Sequence, residues 1–199
     1  FFQAEDGIRD MTTHELYKKL ELSPVIAAAK NEHELEAAVN SEAEVIFILQ
    51  SHLMELAELS QKIKASGKAA ILHADLVKGL SSDEKAIDYI KKATSFDGII
   101  STKPAIIRHA KKHQLLAIQR FFLLDSSALE NVERQLKYTE ADLVEVLPSV
   151  SPKIIKQLVH HSKKPLIVGG LIRDKEDIMG ALGAGSLAVS TTASAIWSI

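Results

Sequence analysis

The chain has 199 residues, enough for one domain with a substantial core and near the lower limit for a (β/α)8 barrel. Apolar residues make up 46% and charged residues 25%, a globular balance, and the lack of cysteine excludes disulfides and thiolate chemistry and points to a reducing compartment. A net charge of −2 does not advertise a nucleic-acid binder, and no apolar run reaches the ~18 residues of a membrane span.

Residues 1–10, Phe1 to Asp10, fit nothing that follows and read as a non-native leader before Met11; residues 11–199 read as a single domain. Leu16, Tyr17 and Leu20 lie at helical spacing behind Thr12 or Thr13 as cap, which predicts a short helix closing a barrel bottom. Pro24–Ala29 is a candidate first strand whose small residues suit a narrow interior, and Asn31 caps a helix over 32–39. Val45–Leu49 is a continuous apolar run, the mark of a buried parallel strand. A helix over 53–65 ends at Gly67, and a third strand, 68–72, empties into His73-Ala74-Asp75-Leu76-Val77-Lys78. Asp83 caps the next helix. Strand four is 98–100, Pro104 opens a helix to about His113, and strand five is 115–118. Ser126 or Ser127 caps a helix to about Tyr138; strand six is 142–146, followed by a helix from Pro152. Strand seven runs from Pro165 into Gly169-Gly170, a helix covers about 174–182, and strand eight runs from Ser186 into Ser190-Thr191-Thr192. Eight strands alternating with helices predict an α/β fold, a compact single-domain TIM-type barrel. The lysine pairs late in several helices complement negative helix ends.

In such a barrel every strand C-terminus lies on one face, where ligand sites form. The polar residues expected there are His73, Asp75, Lys78, Ser101, Thr102, Gln119, Arg120, Glu145, Gly169, Gly170 and Ser190 to Thr192. Two adjacent glycines bare backbone N–H groups that suit an oxyanion, and barrel phosphate sites commonly follow strands seven and eight. A Gly pair is also an ordinary turn signal; the second hydroxyl loop and the position late in the chain favour phosphate. Gly169, Gly170, Ser190 and Thr191 are therefore candidates for a ligand phosphate, with Asp75, Lys78, Arg120 and Glu145 for its polyol part. The same residues can instead form structural pairs, Asp75 with Lys78 and Glu145 with Arg120. No metal site is expected. His160 and His161 are adjacent, so their rings diverge on a helix; His109 and His113, four apart, could chelate, but a bare histidine pair lacks the ligand count that zinc requires. No G-x-S-x-G elbow marks a hydrolase.

Several separated runs, in order, carry a resemblance: His73-Ala74-Asp75-Leu76-Val77-Lys78-Gly79-Leu80, Gly98-Ile99-Ile100-Ser101-Thr102, Ala117-Ile118-Gln119-Arg120-Phe121-Phe122, Val144-Glu145-Val146-Leu147-Pro148, Gly169-Gly170-Leu171-Ile172-Arg173 and Val189-Ser190-Thr191-Thr192. From Pro24 to Trp197 the chain resembles the glycerol uptake operon antiterminator regulatory protein family. The resemblance implies a cytoplasmic barrel without a cofactor, with glycerol 3-phosphate as effector. It further implies action on the leader mRNA of glycerol genes, preventing premature termination. The chain departs from the family pattern at Ser149, where glycine is usual, and at Thr192-Ala193, where Ser-Asn is usual.

No RNA-binding module is visible, neither an aromatic RNP motif nor a Gly-x-x-Gly clamp in a suitable setting. RNA contact is thus expected at a local basic surface near the ligand face, from Lys103, Arg173 and Lys175. Two rivals use the same pocket: an enzyme acting on a phosphorylated triose or related small phosphate, and a phosphate-ligand sensor working through a protein partner. A homo-oligomer is compatible with any of the three.

Overall fold

The computed structural model describes residues 10–199. Nine of the ten leader residues, and that expectation with them, lie outside the described residues. Helix α1, Thr13–Leu22, precedes the barrel. Strands β1 (Val25–Ala29), β2 (Val45–Ile48), β3 (Ala69–His73), β4 (Gly98–Ser101), β5 (Leu116–Phe122), β6 (Leu143–Leu147), β7 (Leu166–Gly169) and β8 (Ala188–Thr191) then alternate with helices. These are α2 (Glu32–Val39), α3 (Leu56–Ala65), α4 (Glu84–Ala93), α5 (Pro104–Lys112), α6 (Ser126–Leu136), α7 (Pro152–His161) and α8 (Lys175–Gly183). The strands pair in parallel in chain order and close on themselves through Val25↔Val189 and Ile26↔Ser190.

The barrel follows from alternation within each apolar run. Ile26, Phe47, Ile71, Ile100, Ile118, Leu143 and Ile167 belong to one buried cluster, which fills the lumen. Their neighbours Ala27, Ile46, Leu72, Ile99, Ala117, Val144 and Val168 belong to a second, against the surrounding helices. Both faces of every strand are thus covered, which is why the runs are continuously apolar.

Helix α1 closes the barrel bottom, as its spacing predicts. Thr12 and Glu15 form a reciprocal capping box, and fully buried Leu16 and Leu20 join the lumen cluster. Full burial of each leucine stabilises by about 1.5–3 kcal/mol. Asp142, just before β6, ties this end together. It accepts from Thr13 Oγ1 at 2.9 Å, Lys111 Nζ at 2.5 Å and the Ala117 amide at 2.9 Å, while Tyr17 Oη donates to its carbonyl at 2.9 Å.

Three details differ from the sequence reading. Asp125, not Ser126 or Ser127, caps α6: its carboxylate accepts from the Ala128 amide at 2.8 Å, and both serines fall inside the helix. The expected helix over 53–65 begins as a 3-10 turn, Leu53–Glu55, preceded by a two-residue ladder in which Ser51–His52 pairs with Val77–Lys78. Finally, β3, β4, β5 and β8 each run one to four residues past their apolar stretch, into the polar residues expected to leave the sheet.

Candidate functional site

Those polar extensions build a charged layer at the C-terminal end of the lumen. Arg120 and Glu145 are register partners on β5 and β6, and Arg120 Nε donates to Glu145 Oε2 at 2.7 Å. Glu145 has no exposed side-chain surface, so it depends on partners for its charge. Its second oxygen accepts from Ser190 Oγ on β8 at 2.5 Å. That bond reaches over β7, and glycine at position 169 makes it possible. A Cβ there would lie 2.4 Å from Ser190 Oγ and 3.0 Å from Glu145 Oε1. Gly169 therefore serves as clearance for a buried network across three strands.

His73, on β3, is 4% exposed, and its Nδ1 has no partner on another described residue. Burial, then the charge of Arg120, pushes its pKa down to about 4, with Asp75 partly opposing. The imidazole is therefore neutral at pH 7.

Above this layer opens a cavity of about 500 Å³, whose lining includes Lys30, Arg120, Gly170, Arg173, Ser190 and Thr192. No carboxylate is among its lining residues. Arg120 is balanced by Glu145, so Lys30 and Arg173 leave the cavity positive. Gly170 and Leu171 both adopt left-handed backbone, at φ 69° and 58°. Leucine in that region costs on the order of 1–2 kcal/mol. Such strain persists where surroundings hold it: the Gly170 carbonyl accepts from the Ser149 amide at 3.0 Å, and Pro148 packs against Gly170. The N-terminus of α8 is occupied by the protein itself. Asp174 accepts from the Asp177 amide and Asp177 from the Arg173 amide.

The expected site residues thus divide. Gly170, Ser190, Thr191 and Arg120 share the cavity, with Glu145 and Gly169 beneath it. The Thr191 hydroxyl is engaged, donating to the Ile172 carbonyl at 2.7 Å and accepting from the Ala193 amide at 3.0 Å. Beside it the Thr191 carbonyl accepts from Trp197 Nε1 at 2.9 Å, which docks the 3-10 turn Ser194–Ile196. Asp75 lies apart, with its carboxylate accepting from Ser82 and Ser101 hydroxyls and from the Thr102 amide and hydroxyl, at 2.7–3.1 Å. Burial alone would raise its pKa; those hydrogen bonds and His73 hold it below the ordinary value. Lys78 lies on the short ladder and faces a separate cavity of about 370 Å³ with Lys30, Ser51, His52 and Lys62. Lys103 Nζ donates to the Ser82 carbonyl at 2.9 Å, Lys175 is exposed on the first turn of α8, and Arg173 lines the mouth. Sequence reasoning missed Lys30; its only signal is its place directly after β1.

The chain matches the family of glycerol-3-phosphate responsive antiterminators over residues 25–197. It is 37% identical over 180 residues to the Escherichia coli (strain K12) protein YgcP, covering 90% of this chain and 94% of that one. It superimposes on the crystal structure of the glycerol uptake operon antiterminator regulatory protein of Listeria monocytogenes with a TM-score of 0.82 at 35% identity, covering 87% of this chain and 94% of that one. The glycerol uptake operon antiterminator-related protein of Thermotoga maritima gives a TM-score of 0.75 at 32% identity, covering 88% and 98%.

Proposed function

The chain belongs to the glycerol-3-phosphate responsive antiterminator family, and we propose that it binds glycerol 3-phosphate in the mouth cavity and, so loaded, binds the leader mRNA of glycerol uptake and utilisation genes. The observation that carries the ligand half is a positive cavity floored by an arginine whose Nε is already held by Glu145. A guanidinium fixed in this way recognises an oxyanion or a hydroxyl without first losing side-chain freedom. Gly170, with Lys30 and Arg173, supplies the phosphate contacts; Ser190, whose hydroxyl proton goes to Glu145, holds that carboxylate in place, and Arg120 adds the polyol contact. Asp75 supports the loop after β3, and Glu145 supports Arg120.

We read the acids and bases of this region as structural. Both Glu145 oxygens are engaged, Asp75 accepts four bonds, and His73 is buried and neutral. A general acid or base needs a free position within reach of the substrate proton. The deciding experiment is a leader-RNA titration with and without glycerol 3-phosphate, with the ligand assayed afterwards. We expect tighter RNA binding with ligand and ligand recovered intact. RNA affinity indifferent to the ligand would overturn the regulator reading, and turnover of a triose phosphate would replace it with the enzyme.

A further inference from the structure

On the outer face of the barrel, α4 brings Asp88 to a histidine pair at the end of α5 that lies 21 or more residues from it in sequence. His109 and His113 stand one helical turn apart, with ring centroids 4.6 Å from each other. Asp88 faces them from α4. Its Oδ1 lies 2.7 Å from His109 Nε2 and 3.2 Å from His113 Nε2. The three atoms all lie within 4.8 Å of one another, and both imidazoles present the same nitrogen.

We propose that Asp88, His109 and His113 form a zinc-type divalent cation site that clamps α4 to α5. Two imidazoles and one carboxylate are a known zinc donor set, and tetrahedral bonds of about 2.0–2.1 Å place neighbouring donors about 3.4 Å apart. Small side-chain rotations open the present spacing to that distance. The other ring nitrogen of His109, Nδ1, lies 3.7 Å from Glu84 Oε2, beyond hydrogen-bond distance. The metal would displace the proton that Nε2 shares with Asp88 Oδ1, and Glu84, brought closer by a side-chain rotation, would hold the remaining proton on Nδ1. Asp88 Oδ2 lies 3.2 Å from Lys85 Nζ, whose side chain is 89% exposed and free to swing away. The histidines are partly exposed, which admits water as a fourth ligand. The pair at 109 and 113 carries no metal signature by itself; the third ligand comes only from packing α4 against α5.

The test is calorimetric titration of the metal-stripped full chain with ZnCl2 in a non-chelating buffer, repeated with Co2+ and read by visible absorption. The chain lacks cysteine, so thiolates cannot contribute. We expect one saturable equivalent, a Co2+ band of low-symmetry coordination, and a rise in melting temperature with zinc. Binding should weaken at least tenfold in His109→Ala, His113→Asn and Asp88→Asn, and about tenfold in Glu84→Gln. His160→Ala should leave it unchanged. His113 is the more exposed histidine, so His113→Asn keeps the test valid if His109→Ala does not fold. Absence of a saturable equivalent, or wild-type affinity in folded His113→Asn, would overturn the site.

Discussion

Replacing Gly169 by alanine tests the buried network directly. Position 169 has no positive φ, so the substitution adds a methyl group without backbone strain of the left-handed kind. That methyl would lie 2.4 Å from Ser190 Oγ, far inside contact distance, and 3.0 Å from Glu145 Oε1. Ser190 must rotate away or β7 must shift. In either case the Ser190–Glu145 bond is lost, and a hydrogen bond to a buried charge contributes about 1.5–3 kcal/mol. Overpacking adds about 1–3 kcal/mol. Gly169→Ala should therefore destabilise by about 3–5 kcal/mol, taking the middle of those sums. Ser190→Ala alone should cost about 1.5–3 kcal/mol, because it removes the bond without overlap. The double variant should fall short of additivity by at least the value of that shared bond, because removing Ser190 Oγ also relieves the 2.4 Å overlap. Urea denaturation of the four proteins measures the cycle. Additive costs, or a Gly169→Ala protein as stable as wild type, would refute the clearance argument.

Thr192→Glu adds negative charge at an exposed position on the cavity rim and should weaken glycerol 3-phosphate binding at least tenfold by calorimetry with an unchanged melting temperature. Gly170→Asp is a less clean probe, since its φ is 69° and a Cβ would lie 3.3 Å from Pro148 Cα. His73 should make the protein acid-sensitive: unfolded, it takes a proton below about 6.5, but folded only below about 4. Between those values the unfolded chain binds more protons, so stability should fall with falling pH, by about 3 kcal/mol at the acid end. Urea midpoints against pH should show this slope and lose it in His73→Leu; Asp75, shifted down from its ordinary value, withdraws its stabilisation only at lower pH. Lys175→Glu should weaken leader-RNA binding and flatten its salt dependence while sparing ligand affinity, measured by filter binding and calorimetry.

The barrel was legible because its signal is local. Each strand is an apolar run, and several helices announce themselves by a cap such as Asn31, Asp83 or Asp174, or, in α5 and α7, by a proline in the first turn. The site was only half legible, for two reasons. An apolar run stops at the first polar residue, yet β5 continues through Gln119, Arg120, Phe121 and Phe122, because strand pairing does not depend on side-chain polarity. Facing also depends on strand parity. Arg120 faces the lumen and meets Glu145, whereas its neighbour Gln119 faces the helices and accepts from Thr139 Oγ1 at 2.5 Å. Of the two structural pairs weighed from sequence, Glu145–Arg120 forms, and the Asp75 carboxylate instead takes Ser82, Ser101 and Thr102. Gly169 and Gly170 look alike in sequence. Only three-dimensional neighbours separate a clearance glycine from one at a left-handed turn.

A negative ligand in the mouth would by itself repel RNA phosphates, so an effector that promotes RNA binding must act through a change of state. The loop after β3 is a poor candidate for the moving part, because Asp75 fastens it to Ser101 and Thr102 and Lys103 fastens Ser82. The segment from Gly170 to Arg173 is better placed. It carries the strained Leu171 backbone, borders the cavity, and exposes the Leu171 side chain beside the Leu147–Pro148 turn. A phosphate drawn to its amides would favour one backbone arrangement over another, and Arg173, on the same segment, would turn with it. On the proposed function, the ligand would act by deciding where Arg173 points. Its charge would offset the positive mouth, while the differential contact coupling it to RNA would lie in a few residues of one loop.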